Sequence, residues 1–417
     1  MSISTIKGFK DILPGETEIW QWIENNARSV FHTFGFKEIR TPLLEWTELF
    51  SRGIGQETDI VSKEMYTLED SRGRKQTLRP EATASVVRAY IQNKLYNVNP
   101  VQKLYSIGPM FRHERPQKGR FRQFHQINAE VFGDPGPRSD ADIINMAVQI
   151  FKRAGLDDVT LNINTLGCAA CRVDYKEKLK KYLVDKSGSL CPECVKRSGL
   201  NPLRVFDCKI ESCSEAVSDA PVIIDHVCDD CRVHFELLKE YLGDLGIEFI
   251  INTNLVRGLD YYSRTTFEIQ TDKLGTQNAV AGGGRYDTLV SQLDGPDHPG
   301  MGFAIGFERL AALIDAERNR IMQDPDLFIV ALGDEAEKRA FVWTNELRRA
   351  GKTVEMEYTS RGLKAQMKKA DKLNAGRVLI VGEDELANKS AILRDMKTKE
   401  QETLSLDGIT DVILSKI

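Results

Sequence analysis

FRHERPQKGRFRQFHQ, residues 111–126, gathers five cationic side chains (Arg112, Arg115, Lys118, Arg120 and Arg122) and two histidines around a single acid, Glu114. Its centre, PQKG, has turn composition, and the flanking segments KLYSIGPMFRHE and RFRQFHQINAEVFG read as strands, which together predict an antiparallel hairpin with a basic turn. In a two-residue strand period, Arg112 and Glu114 share one face of the first strand, while Arg122, Phe124, Gln126, Asn128 and Glu130 share one face of the second. A face of Arg, Gln, Asn and Glu is either solvated or a ligand site. The density of guanidinium groups, the apolar flanks and the turn lysine favour a phosphate.

Glycine loops do not explain phosphate binding in this chain. No GxxxxGK[ST] occurs, and GMGFAIG (300–306) spaces its glycines GxGxxxG, one residue too long for a dinucleotide fingerprint. Arg309 follows that segment in the first turn of a predicted helix, FERLAALI, where unsatisfied N–H groups favour an anion. RGLDYYSRTTFEI gathers Arg257, Asp260, Tyr261 and Tyr262 before a strand: a fixed cation, a carboxylate and two phenols for one polar pocket.

Around these segments the pattern is mixed. Residues 16–34 carry Ile19, Trp20, Ile23, Ala27, Val30 and Phe31 at helical spacing, and FKEIRTPLLEW reads as a strand interrupted by Pro42, suited to an edge or a turn. A loop holding Arg79, Pro80 and Glu81 leads into a helix with Val86, Val87, Tyr90 and Ile91. SDADIINMAVQIFKRAG reads as a helix capped by Ser139 or Asp140. The strand VTLNINT follows it. After residue 326, strands and helices alternate, which predicts a separate α/β domain with a largely parallel sheet.

At 417 residues the chain exceeds what one core supports, so several domains are expected. With 57 Lys+Arg against 61 Asp+Glu it is not held to nucleic acid by bulk charge, and any polyanion site must be local. No apolar run approaches the ~18 residues of a membrane span, nor is there a signal-peptide pattern, so a cytoplasmic location is expected. All eight cysteines fall between Cys168 and Cys231, where the core pattern pauses, marking an insertion. They form CxxC at Cys168/Cys171, Cys191/Cys194 and Cys228/Cys231, and Cx₄C at Cys208/Cys213, which are metal-ligand spacings suited to zinc. One partition joins 191/194 to 208/213 and leaves the other two pairs to bracket the insertion.

The chain resembles the histidyl-tRNA synthetase family of class II aminoacyl-tRNA synthetases over essentially its whole length. The match rests on GFKDILP, TPLLE as the first class II motif, LRPEAT, FRHERPQKGRFRQFHQ as the second motif, RGLDYY, AGGGRYD, and GFAIGFERL as the third. The resemblance implies an α+β fold, with a six-stranded antiparallel sheet flanked by helices, an insertion domain and a C-terminal α/β anticodon-binding domain. Expected boundaries are 1–165 and 247–322 for the catalytic domain, 166–246 for the insertion and 326–417 for the last domain.

By resemblance, Arg112 touches the ATP α-phosphate and the histidine carboxylate, Arg120 and Arg309 hold the outer phosphates, Glu114 sits by the adenine, and Arg257 is the catalytic cation. The histidine site comprises Glu81, Ala82, Thr83 and Gln126, with Glu130 and Tyr261 or Tyr262 at the imidazole. Arg115 and Gln117 contact the acceptor end of tRNA-His. The implied reaction is ATP-dependent activation of L-histidine with Mg²⁺ on the outer phosphates, in a homodimer joined through the first motif. Residues 326–417 carry 16 basic and 16 acidic residues, yet Arg361, Lys364, Lys368 and Lys372 form one helical stripe. A noncatalytic histidine-binding relative, the regulatory subunit of ATP phosphoribosyltransferase, typically lacks this last domain and degrades the ATP motifs. Here both are intact.

Overall fold

A computed structural model describes residues 3–56, 58–117, 119–275, 278–314, 321 and 324–417. The chain divides into two compact units, Met1–Arg318 and Asn319–Ile417. The expected catalytic boundary at residue 322 lies outside the described residues.

The first unit is built on a sheet of six antiparallel strands in the order β5-β6-β11-β10-β9-β7. These are β5 Gln102–Phe111, β6 Gln123–Phe132, β7 Thr160–Thr165, β9 Ser263–Gln270, β10 Ala279–Arg285 and β11 Gly300–Gly306. Two-residue strands, β1 Lys37–Glu38 and β8 Ile250–Ile251, add parallel edges at either end. The strand expected across FKEIRTPLLEW is split around Pro42, and its second half, β2 Leu44–Trp46, joins β3 Tyr66–Glu69 and β4 Lys75–Leu78 in a separate small sheet. Proline has no N–H to continue the first ladder.

Helix Thr17–Thr33 follows its apolar stripe, burying Ile19, Trp20, Ile23, Ala27, Val30 and Phe31. Helix Pro137–Arg153 starts earlier than the expected Ser139 or Asp140 cap, with Gly136 at the N-cap and proline in the first turn. Proline suits that position because the missing N–H would be unsatisfied there. Asp140 is thereby inside the helix and buried, available to another partner.

The second unit holds a five-stranded sheet, order β13-β12-β14-β15-β16, from β12 Leu327–Ala331, β13 Val354–Met356, β14 Arg377–Val381, β15 Ser390–Asp395 and β16 Gln401–Ser405. Only β13, β12 and β14 are parallel, since β15 and β16 close the sheet as an antiparallel hairpin. The expected parallel sheet is therefore mixed, because five residues between β15 and β16 leave no room for a crossover helix. Lys364, Lys368 and Lys372 lie along helix Leu363–Lys372 and are exposed, with Arg361 exposed just before it.

Candidate active site

A cavity of about 320 Å³ lies over β6, β11, β10 and β9. The period-two reading of the second hairpin strand holds where it matters, for Phe124, Gln126 and Asn128 all line the cavity. The hairpin ladder itself is shorter than expected. β5 ends at Phe111 and β6 begins at Gln123, so Arg112, Glu114, Arg120 and Arg122 lie in the connecting loop. Backbone groups there are taken by other segments: His113 N donates to Glu64 O at 2.7 Å and Arg122 N to Gly8 O at 2.8 Å. The tip closes through the Gln117–Arg120 bridge with Gly119 at φ 72°, leaving Arg115 and Gln117 exposed. Lys118 lies outside the described residues.

Four guanidinium groups, of Arg112, Arg120, Arg257 and Arg309, share the cavity wall. Arg112 Nε donates to Pro80 O at 2.9 Å and its guanidinium lies 5.2 Å from the centre of the Phe124 ring, which fixes its plane. Glu114 sits between two of them, 2.6 Å from Arg120 Nε and 3.8 Å from Arg112 Nη1. Arg309 Nη1 donates to Ala279 O at 2.5 Å and Nε to Gly119 O at 3.4 Å. Burial, and then the like charges of Arg120 and Arg112, pull the Arg309 pKa down. Crowded cations of this kind are relieved by an anion placed among them.

Arg257 is paired with Glu268 of β9. Its guanidinium lies flat on β10, where a Cβ at Gly282 would stand 2.4 Å from Arg257 Nη2. The glycine run of AGGGRYD is thus what lets the cation approach the strand.

Carboxylates and phenols line the same cavity. Glu81 accepts the backbone N–H of Thr83 and of Ala84, each at 2.8 Å, and so caps helix Thr83–Gln92. Thr83 Oγ1 donates to Glu130 Oε1 at 2.7 Å, and the Tyr286 hydroxyl donates to Glu130 Oε2. Tyr261 and Tyr262 are buried, with ring centres 4.7 Å apart, and Tyr261 meets Tyr286 edge-on at 5.5 Å. Gln126 Oε1 and both polar atoms of the Asn128 amide are buried without a hydrogen-bond partner. Orphaned polar atoms at a cavity are costly unless a ligand or water meets them.

Family models for histidyl-tRNA synthetase and for an anticodon binding domain match residues 8–310 and 326–416. The histidine–tRNA ligase of Desulfatibacillum aliphaticivorans is 56% identical over 415 residues, covering 100% of this chain and 99% of its own. That of Desulfosudis oleivorans is 55% identical over 414 residues, covering 99% and 98%. The chain belongs to the histidyl-tRNA synthetase family. Among solved structures, apo histidyl-tRNA synthetase from S. aureus superposes with a TM-score of 0.82 at 37% identity, over 99% of this chain and 100% of that one.

Of the residues expected from the family's motifs, Glu81, Thr83, Arg112, Glu114, Arg120, Gln126, Arg257, Tyr261, Tyr262 and Arg309 line one cavity. Ala82 and Glu130 are buried and do not line it, and Glu130 is bonded to Thr83, which does, and to Tyr286. Three further residues belong to the site. Asn128 lines it, Glu268 holds Arg257, and Tyr286 holds Glu130. Asn128 was readable from its place in the alternation; Glu268 lies 11 residues from Arg257 and Tyr286 lies 156 from Glu130, separations that no strand or helix period reports.

Burial pushes the Glu130 carboxyl up to about 8, against the opposing hydrogen bonds of Tyr286 and Thr83. A carboxyl raised above its unfolded value near 4.5 keeps its full contribution to stability below that pH and loses it as pH rises to about 8. Glu130→Gln removes this loss. The variant's melting temperature should therefore gain on the parent's by about 2 °C per pH unit between those limits, at about 1.4 kcal/mol per unit. Parallel melting curves across that range would refute the assignment.

The eight cysteines sort spatially into two groups, Cys168/Cys171/Cys228/Cys231 and Cys191/Cys194/Cys208/Cys213, the sulfurs of each lying within 4.8 Å of one another. This grouping joins 191/194 to 208/213 and leaves the other two pairs to bracket the insertion.

Proposed function

We infer that the chain is a histidine–tRNA ligase, which activates L-histidine with ATP and transfers it to the 3′ end of tRNA-His. Full-length relatives above 50% identity, all histidine–tRNA ligases, support the ligase over a noncatalytic histidine-binding subunit. The observation that carries the chemistry is the convergence of Arg112, Arg120, Arg257 and Arg309 on one cavity that Glu81, Thr83, Gln126 and Tyr261 also line.

In this reading the triphosphate lies among the arginines, with Arg112 at the α-phosphate beside the histidine carboxylate, Arg120 and Arg309 on the outer phosphates, and Glu114 at the adenine. The carboxylate attacks the α-phosphorus in line and pyrophosphate leaves, Arg257 stabilising the charge that develops. Mg²⁺ on the outer phosphates would neutralise their charge, and the Glu308 carboxylate on the cavity wall would hold it. The α-ammonium meets Glu81, Thr83 and Gln126. The imidazole meets the Tyr261 and Tyr262 phenols and, through Thr83, Glu130. Asn128 offers a further amide. Such paired polar contacts reject amino acids lacking them by about 10⁴ to 10⁵.

The exposed tip residues Arg115 and Gln117 are poised for the acceptor end, and the basic stripe of Arg361, Lys364, Lys368 and Lys372 for the anticodon arm. Segments 1–165 and 247–322 form the catalytic domain, 166–246 the insertion and 326–417 the anticodon-binding domain, with structural zinc at the insertion's thiols. Leu43, Leu44, Trp46 and Leu68 expose apolar surface around TPLLE, which supports a homodimer joined there; a monomer in sedimentation equilibrium would remove that element. No helix among the described residues is long and apolar enough to cross a membrane, and we take the site of action to be the cytoplasm.

The deciding experiment is ATP–pyrophosphate exchange with each amino acid in turn. Exchange is expected with histidine alone, and its absence, or exchange with another amino acid, would overturn the assignment.

A further inference from the structure

The cysteine groups carry more than a spacing. In the first, Cys168 and Cys228 stand at the N-caps of two long helices, Ala169–Asp185 and Asp229–Asp244, and Cys171 and Cys231 lie buried in their first turns. Cys168 Sγ is 3.5 Å from Cys171 Sγ, and Cys228 N donates to Cys171 Sγ at 3.0 Å. In the second, Cys191 caps helix Pro192–Leu200, Cys191 N donates to Cys213 Sγ at 3.1 Å, and Cys194 N to Cys191 Sγ at 3.4 Å. None of the eight is in a disulfide.

A tetrahedral zinc with Zn–S bonds of about 2.3 Å requires sulfurs about 3.8 Å apart, which is the scale of both groups. Backbone N–H groups aimed at sulfur favour the thiolate that a metal needs. Four sulfurs with no nitrogen or oxygen ligand among them select zinc over hard cations.

Each group also reaches the same short segment of the pocket wall. One turn after Cys168, Arg172 Nη1 donates to the Tyr262 carbonyl at 2.6 Å, and Gly167 accepts from Arg264 N at 2.8 Å. Between Cys194 and Cys208, Asn201 Nδ2 donates to Asp260 Oδ1 at 2.7 Å, and Arg197 pairs with Asp59 at 3.1 Å. The insertion therefore holds residues 260–262 at both ends, Arg172 on the helix that Cys168 opens and Asn201 between Cys194 and Cys208.

We propose that each cysteine group binds one zinc ion and that the two ions together hold Arg172 and Asn201 in place to position the Asp260–Tyr262 wall of the amino-acid pocket. The zinc sites stand on the sulfur geometry alone, while the positioning role rests on the histidine pocket proposed above. Arg172 and Asn201 are positioning residues, acting through Tyr262 and Asp260.

The experiment measures metal on the full-length chain, purified without chelator, by elemental analysis. Two zinc ions per chain are expected, falling to one in Cys171→Ser/Cys231→Ser and to one in Cys194→Ser/Cys213→Ser. No zinc, or iron with acid-labile sulfide, would overturn the sites. Should the serine variants not fold, the parent chain reconstituted with Co²⁺ decides, since tetrahedral tetrathiolate sites give intense visible bands and their absence refutes the assignment. For the positioning role, Arg172→Ala and Asn201→Ala should each retain two zinc ions and raise the KM for histidine about tenfold, with the KM for ATP within about twofold. Unchanged histidine KM, or an equal loss for both substrates, would overturn the role. Failure of histidine-dependent exchange in the parent would instead overturn the proposed function and leave the zinc count standing.

Discussion

Arg257→Ala is expected to slow histidyl-adenylate formation by about 10²- to 10³-fold in a single-turnover assay, the scale of losing one preorganised charge at a transition state. The structure adds a second consequence. Arg257 is paired with Glu268, whose side chain is only 15% exposed, so the substitution also strands a carboxylate. That should lower stability by about 1–3 kcal/mol. Arg257→Ala/Glu268→Gln separates the two effects, because the amide needs no cation. The double variant should regain the melting temperature and not the rate. Gly282→Ala approaches the same point with the arginine intact, since its Cβ would stand 2.4 Å from Nη2 and push the guanidinium off β10. A parent-like single-turnover rate in Arg257→Ala would show that the cation has no part in the chemistry.

What was readable in the sequence, and what was not, follows the range of the interactions. Phe124, Gln126 and Asn128 share the cavity because strand alternation is local, and each cysteine pair was legible because its members are close in sequence, whereas Cys171 and Cys228 meet from 57 residues apart, which spacing does not report. Pro42 broke its strand for the same kind of reason. The ends of the hairpin were not readable. Arg112 N still donates to Arg122 O, but Arg122 N goes to Gly8 O instead of returning the bond, and on the opposite edge Phe111 N and His113 N go to Arg79 O and Glu64 O, so distant segments end the ladder. Arg112 and Glu114 lie beyond the strand as a result, their side chains 3.8 Å apart within the connecting loop. The Arg257–Glu268 and Tyr286–Glu130 pairs escaped for a related reason: a carboxylate on a strand reads the same whether its partner is solvent, a neighbour or a residue 156 positions away. The motif resemblance supplied Arg257 and Glu130 but neither of their partners.

Asp140→Ala is expected to destabilise the first unit by about 3–5 kcal/mol, the cost of removing one member of a buried ion pair. Asp140 and Arg285 are both fully buried, 2.8 Å apart. The same carboxylate accepts from Thr265 Oγ1 at 2.5 Å and meets His234 Nε2 at 2.8 Å, while Arg285 also donates to Asp134 O and to Asp287. Burial alone would raise the Asp140 pKa, but the Arg285 guanidinium, followed by His234, holds it below the usual carboxylate value. Its contribution is therefore present above pH 3.8 and is lost as pH falls through the lower folded value. At about 2 cal/mol/K of unfolding entropy per residue, a unit of this size should melt some 5–8 °C lower at neutral pH. An apolar replacement of both partners, Asp140→Leu/Arg285→Met, should recover much of that loss, because neither charge is then stranded. It should not recover full activity. Arg285 immediately precedes Tyr286, whose hydroxyl holds Glu130, and Asp287 N donates to Ser263 Oγ beside Tyr262. The ion pair thus fixes β10 against helix Pro137–Arg153 and aligns both phenols, so the refolded double variant should show a raised histidine KM. A melting temperature within about 1 °C of the parent in Asp140→Ala would show instead that the pair only offsets its own desolvation.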